Sequence, residues 1–144
     1  MMIAVLRSII VQSTKAHNKL GASIVRQRTL KTCSALRDTF TVQDSEDFKT
    51  KVLDSSVPVV VDFSATWCGP CKILGPRLDA AIAATNSKVN LAVVDIDDNS
   101  DLAIEHGVQA VPTVVAFKDG QIVDKFVGLI DEDKLGAFVN NLHE

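Results

Sequence analysis

Residues 57–72 read V-P-V-V-V-D-F-S-A-T-W-C-G-P-C-K, and this stretch decides the fold. Residues 57–63 are apolar nearly throughout, which predicts a strand in the middle of a sheet covered on both faces. Residues 73–84 have the pattern of a helix. Cys68 and Cys71 therefore lie at a strand-to-helix junction, about one helical turn apart. Their Cα atoms are then about 5 to 6 Å apart, within the span of an unstrained disulfide, so the pair is a candidate redox dithiol.

The two cysteines are expected to have different roles. Unsatisfied N–H groups and the dipole at a helix N-terminus favour a negative charge on Cys68, so its thiolate is more populated than that of a free cysteine. Cys68 is therefore the predicted nucleophile. Cys71, in the first turn of the helix, is placed to attack the mixed disulfide that Cys68 forms and to release the reduced product.

The rest of the pattern alternates strands with helices and ends in a hairpin. The Asp119-Gly120 dipeptide is a strong two-residue hairpin signal. Pro76 lies inside the helix that follows the cysteines and predicts a kink there. This order predicts an α/β domain with a mixed central sheet between helices. The further strands are expected at 40–42, 89–95, 113–117 and 122–127, and the further helices at 45–53 (capped by Asp44 or Ser45), 101–106 and 131–142.

Three sequence features, all in order, closely resemble the thioredoxins: V-D-F-S-A-T-W-C-G-P-C-K at 61–72, V-P-T at 111–113 and the glycine of F-V-G at 126–128. The resemblance covers residues 39–144. It implies the thioredoxin fold, with helices on both faces of the sheet, and the reduction of protein disulfides by the dithiol without a bound cofactor. It also implies that thioredoxin reductase, an NADPH-dependent flavoenzyme, restores the dithiol and that peroxiredoxins are leading clients. No nucleic acid or membrane partner is expected.

The resemblance also implies a substrate groove beside the dithiol. The proline between the cysteines suits a helix start, where its missing N–H is not needed; by resemblance it favours a reducing member over oxidising relatives, which carry histidine there. The resemblance reverses the low prior for a cis bond before the proline of V-P-T. In this fold the backbone before that proline pairs with an extended substrate segment. The expected groove residues are Trp67, Gly69, Pro70, Val111, Pro112, Thr113 and Gly128.

Asp62 is an unexpected carboxylate in an apolar strand. It matches the buried aspartate that is thought to exchange a proton with the second cysteine in thioredoxins. Burial would raise its pKa and allow it to act as a base near neutral pH. The alternative is an aspartate that caps a strand end through backbone hydrogen bonds. Some thioredoxins place a lysine near this aspartate, at the position of Val93 here, which leaves the tuning of Asp62 open.

Other interpretations of these residues were weighed. A CxxC pair is also half of a structural zinc site, but only His106 and His143 accompany it in the domain, without metal-type spacing, so no metal is expected. His106 is expected to be a surface residue at a helix end. The acidic residues of 95–101 lack the pattern of a calcium loop and are expected to be solvated. Two competing functions remain, an oxidising or isomerising relative and a binding module that holds a partner only when reduced.

Charge divides the chain at residue 37. Residues 1–37 contain seven basic residues and no acidic one, and residues 38–144 contain eight basic and eighteen acidic residues, giving net charges of +7 and −10. With apolar Ile3, Leu6 and Ile10, the first segment has the composition of an amphipathic mitochondrial transit peptide. We expect a leader at 1–37 that is removed near Arg37, a thioredoxin domain at 38–144, and location in the mitochondrial matrix. The alternative is a disordered basic tail that binds an acidic surface.

Overall fold

The computed structural model describes residues 39–143, which form a five-stranded sheet with helices on both faces. The predicted leader lies outside the described residues, and so does Cys33, the one cysteine of the chain besides Cys68 and Cys71. The sheet has the order β1-β3-β2-β4-β5. The strands are β1 (Thr39–Thr41), β2 (Val59–Ser64), β3 (Asn90–Asp95), β4 (Thr113–Lys118) and β5 (Gln121–Val127). The α-helices are α1 (Ser45–Phe48), α2 (Gly69–Ala83), α3 (Ser100–Glu105) and α4 (Glu132–Asn140), and a π-helical turn, Lys49–Leu53, continues α1.

The central position of β2 follows from its sequence. It pairs in parallel with β3 and antiparallel with β4, and its residues from Val59 to Phe63 are all buried. A strand covered on both faces needs apolar side chains in both directions, which explains why this segment does not alternate. The α/β fold predicted from the sequence, with a central sheet of parallel and antiparallel strands, is thereby confirmed.

The core is divided by the sheet into two layers. Helices α2 and α4 cover one face, where Leu74, Leu78 and Phe138 pack on Val60 and Val114. On the other face, α1, its π-helical extension and α3 pack on the remaining side chains of the same strands, as Phe48, Val52 and Leu102 do on Val61 and Phe63. Alternate residues of β2 therefore belong to different layers. Asp62, two residues after Val60, therefore points to the same face as Val60, which is the face that α2 covers.

The local signals of the sequence set several boundaries. Asp44 caps α1 by accepting a hydrogen bond from the Asp47 N–H at 2.8 Å. Asp119 and Gly120 both have positive φ, 53° and 74°, as a tight hairpin between β4 and β5 requires. Gly107, with φ of 61°, follows the end of α3.

Several predicted boundaries were wrong by one or two residues. Helix α2 begins at Gly69, which confirms the prediction that Cys68 lies at the start of this helix and Cys71 in its first turn. The helix predicted at 45–53 is α-helical only to Phe48, and its second half has π-helical hydrogen bonding. Pro76 lies inside α2, which continues past it to Ala83. Within the described residues, no helix has both the length and the apolar composition to cross a bilayer.

Candidate active site: the dithiol and its groove

The two cysteines form a disulfide at the end of the sheet where β2 passes into α2. Their Cα atoms are 5.3 Å apart, within the range expected from the spacing. Cys68 is the N-cap of the 15-residue helix α2, and its Sγ accepts a hydrogen bond from the Cys71 N–H at 3.2 Å. Pro70 occupies the first turn, where no N–H is needed. The sulfur of Cys68 thus lies where a helix N-terminus stabilises a negative charge.

The disulfide lies in a small apolar cluster of its own. Cys68 is 4% exposed and Cys71 is 6% exposed, and both pack with Ala65. Ile96, from the loop after β3, and Val111 pack against this cluster. Little of either cysteine is therefore accessible, whereas the adjacent Trp67 is 66% exposed.

The indole of Trp67 is fixed by a residue distant in sequence. Its Nε1–H donates to Asp97 Oδ2 at 2.9 Å, and the Asp97 backbone N–H in turn donates to Asp95 Oδ1 at 2.9 Å. An exposed apolar ring thereby has a defined position beside Cys68. The sequence indicated only a solvated loop for these aspartates. The signal that could have found them is their position at and just after the end of β3, which ends at the same edge of the sheet as the parallel strand β2.

The V-P-T segment reaches the dithiol from another part of the chain, since Val111 packs against the cluster that contains the disulfide. The Val111-Pro112 peptide bond is cis, as the resemblance predicted. Thr113 is fully buried and its hydroxyl donates to the Ala110 carbonyl at 2.6 Å, which closes the turn before β4. Thr113 therefore supports the turn from the interior, whereas Val111 is partly exposed.

Gly128 joins this segment through its backbone. Its N–H donates to the Pro112 carbonyl at 2.8 Å, and its φ is 83°. A Cβ at this position would meet no atom within 4 Å. Crowding within the chain is thus not the reason for the glycine; the left-handed backbone conformation is.

Asp62 lies in β2, on the face of the sheet that α2 covers. Its side chain is 3% exposed and Oδ1 has no hydrogen-bond partner among the described residues. Burial, and to a lesser degree the negative charge of Asp79, raises the pKa of Asp62 to about 6. The predicted rise of this pKa is confirmed. The alternative, an aspartate at a strand end whose side chain is hydrogen-bonded to the backbone, is wrong, because Oδ1 has no such partner among the described residues.

The prediction for His106 was wrong. Its ring is partly buried against Phe48 (centroids 4.8 Å apart), Phe117 (5.5 Å) and Phe63 (6.1 Å). Its Nε2 is buried without a partner among the described residues, and burial lowers the pKa of the imidazole. The residue belongs to the aromatic core on the face of the sheet opposite the dithiol. Within residues 39–143, no three His, Cys, Asp or Glu side chains are grouped to hold a metal ion.

This fold and its capped CxxC pair define a class, the dithiol oxidoreductases built on a mixed sheet with the cysteines at the start of a helix. The thioredoxin family model matches residues 39–141, and the chain belongs to the thioredoxin family. It is accordingly a thiol–disulfide oxidoreductase that reduces protein disulfides through its Cys-Gly-Pro-Cys dithiol.

Known relatives narrow the identification. The mitochondrial thioredoxin of Mus musculus is 53% identical over 131 residues, which are 90% of this chain and 79% of that protein. The mitochondrial thioredoxin of Rattus norvegicus is 58% identical over 115 residues, 80% of this chain and 69% of that protein. The crystal structure of Malassezia sympodialis thioredoxin superposes with a TM-score of 0.68 at 38% identity, covering 74% of this chain and 92% of that one. Among these relatives, the two mitochondrial thioredoxins share more than half of the aligned residues with this chain.

Proposed function

We propose that Cys68 is the attacking thiolate, that Cys71 resolves the mixed disulfide, and that Asp62 receives the proton that Cys71 must lose. The observation that carries this assignment is the Cys71 N–H directed at Cys68 Sγ at the N-terminus of α2. Cys71 has no comparable donor among the described residues, so the helix stabilises one thiolate in preference to the other.

The reaction transfers two electrons from the dithiol to the substrate. Cys68 thiolate attacks one sulfur of the substrate disulfide, forming the Cys68–substrate bond and releasing the other sulfur as a thiolate that takes a proton from solvent. The Cys71 thiol passes its proton to the Asp62 carboxylate and attacks Cys68 Sγ. The Cys68–Cys71 disulfide forms, the second substrate sulfur leaves as a thiolate and is protonated, and Asp62 returns its proton to solvent. With a pKa of about 6, Asp62 is mostly ionised near pH 7 yet more basic than an ordinary carboxylate.

The groove proposed for the substrate runs between Trp67 and the V-P-T turn. An extended segment beside the substrate cysteine can pair with the backbone of Val111 while its side chains pack on the indole. Gly69, Pro70 and Gly128 have no long side chain that would obstruct the approach of such a segment. Pro112 and Thr113 hold the turn in place from below.

The roles of the two sulfurs are tested by trapping. With Cys71→Ser, we expect mixed disulfides between Cys68 and substrate proteins to accumulate, because the resolving thiol is absent. With Cys68→Ser, we expect almost none, because Cys71 lacks the stabilised thiolate. The variants are compared on non-reducing gels after exposure to a mitochondrial extract, with the double variant as background. Equal trapping by both single variants would contradict the assignment.

We propose the partners and the location by analogy with the family. Thioredoxin reductase, with electrons from NADPH, is the proposed donor that restores the dithiol, and peroxiredoxins are the proposed leading clients. The mitochondrial matrix is the proposed location. Its supports are the mitochondrial thioredoxins among the relatives and the basic, acid-free composition of residues 1–37.

A further inference from the structure

Residues 107–111 bring the backbone of Val111 to the dithiol, yet they form no helix or strand. They run from the end of α3 to the cis-proline that precedes β4. Gln109 and Ala110 are exposed, and Val108 packs against the core on the face that α3 covers. The position of Val111 therefore depends on how the two ends of this segment are held.

Strands β4 and β5 hold the end of the segment that lies at the groove. The Gly128 N–H, directly after β5, donates to the Pro112 carbonyl at 2.8 Å. Val127 of β5 is in register with Thr113 of β4, and the Thr113 hydroxyl donates to the Ala110 carbonyl at 2.6 Å. The backbone on both sides of the cis bond is thus tied to the pair of strands.

Lys125, also in β5, holds the start of the segment. Its Nζ donates to the Gly107 carbonyl at 3.0 Å and to the His106 carbonyl at 3.3 Å. Lys125 is in register with Val115, which belongs to the core layer on the α3 side, so its side chain points toward that helix. Carbonyls at the C-terminal end of a helix lack intrahelical donors, and a lysine can satisfy them. Within residues 39–143 the ammonium of Lys125 forms no salt bridge, so the two carbonyls are its polar partners.

Both ends of the segment are therefore attached to β5, at positions three residues apart. This strand is paired with β4 from Gln121 to Val127, which makes it a rigid support. A substrate that pairs with the backbone of Val111 needs the N–H and C=O groups of that backbone in a defined place. A segment that is already held at both ends loses less conformational entropy when the substrate binds, and binding is tighter as a result.

We propose that Lys125 is a positioning residue for the substrate groove: by holding the two carbonyls at the end of α3, it fixes the start of segment 107–111 and keeps the backbone of Val111 in place for pairing with a protein substrate. This inference rests on the groove proposed above. Lys125 contacts neither sulfur of the dithiol and takes no part in the exchange of thiols and disulfides. Its loss should therefore weaken the binding of protein substrates and leave the reactivity of the dithiol intact.

The test compares a protein disulfide with a small disulfide in the full-length chain. The reduced protein is mixed with increasing concentrations of insulin, or with hydroxyethyl disulfide, which has no peptide segment to pair with Val111. After timed acid quenching and alkylation, oxidation is measured by mass spectrometry on the tryptic peptide 52–72, which contains Cys68 and Cys71 but not Cys33. Insulin gives a half-saturating concentration and a maximal rate constant, and the small disulfide gives a second-order rate constant.

In Lys125→Met we expect the half-saturating concentration of insulin to rise roughly threefold, as loss of a cation at a helix C-terminus would cause. The maximal rate constant and the rate with hydroxyethyl disulfide should stay close to those of wild type. Lys125→Arg keeps a charged donor and should restore binding of insulin. Lys118→Met, at the hairpin end of β4 away from the groove, should match wild type. Amide hydrogen exchange of Val108, whose N–H donates to the Ala103 carbonyl, should become faster in Lys125→Met but not in Lys118→Met.

Trp67→Ala separates failure of this inference from failure of the proposed groove. An unchanged half-saturating concentration of insulin in Trp67→Ala would overturn the groove and, with it, the role of Lys125. A value that rises in Trp67→Ala but not in Lys125→Met would overturn the role of Lys125 alone. Equal slowing of the reactions with insulin and hydroxyethyl disulfide in Lys125→Met would also overturn that role, because such a change acts on the dithiol or on the whole fold and not on the groove.

Discussion

At the scale of single residues, the buried carboxyl of Asp62 is the proposed base, and its ionisation lowers the stability of the fold. Burial raises the pKa of this carboxyl to about 6, so the folded protein holds the proton more tightly than the unfolded chain does. Stability is then full at low pH and declines as the pH rises through 6. Taken alone, a rise from 3.8 to about 6 corresponds to a penalty on the order of 3 kcal/mol at alkaline pH.

Asp62→Asn is therefore expected to stabilise the fold in a pH-dependent way. We expect a gain in the free energy of unfolding of about 1 to 2 kcal/mol at pH 8, less than the full penalty because the amide must also be buried. Near pH 4 the gain should disappear. Urea unfolding at both values, with Asp133→Asn as the control, provides the measurement. An equal gain at pH 4 and pH 8 would show that ionisation of Asp62 does not limit stability.

Residues of this kind show what could be predicted from the sequence. Asp62 was identifiable because a charge in an apolar strand contradicts its surroundings, and the cysteines because their spacing fixes their separation. Asp97 was not identifiable, because it acts through Trp67, which lies 30 residues away in the sequence. Only the sheet order brings these two residues together, and an exposed aspartate carries no local sequence pattern that predicts such a contact.

At the scale of elements, the C-terminal end of α3 is attached to the sheet. His106, which follows α3, packs its ring among Phe48, Phe63 and Phe117, and Lys125 of β5 donates to the His106 and Gly107 carbonyls at 3.3 and 3.0 Å. A histidine at a helix end usually faces solvent, which is why the sequence suggested a surface position. The topology instead directs it into the aromatic layer, where the neutral ring is favoured.

This attachment should weaken in acid. Burial lowers the pKa of His106 below its ordinary value of 6.5, so its contribution to stability is present above that value and is lost as the pH falls through the lower, folded-state pKa. His106→Phe should remove the loss, and we expect its gain in melting temperature over wild type to be larger at pH 5 than at pH 8. Thermal unfolding monitored by circular dichroism, with His143→Gln as the control, tests this. A gain that is the same at both pH values would mean that protonation of His106 plays no part.

At the scale of the whole molecule, the charge pattern and the family match divide the chain at nearly the same point. The matching family model covers residues 39–141. The net charge changes from +7 to −10 at residue 37. The element order was predictable because strands, helices and turns alternate with clear local signals. The exact ends of these elements were less predictable, because local sequence signals locate the end of a helix or strand only to within one or two residues.

We therefore predict that the working protein begins within a few residues of Asp38 and contains only Cys68 and Cys71. All side chains assigned here to the core and the groove lie beyond that point, so a 38–144 fragment should fold and should reduce insulin disulfides at a rate within about twofold of the full chain. Terminal sequencing of the protein isolated from mitochondria tests the boundary, and circular dichroism with the reduction assay tests the fragment. Recovery of intact Met1, or a fragment that fails to fold, would show that residues 1–37 are part of the functional domain and not a leader that is removed.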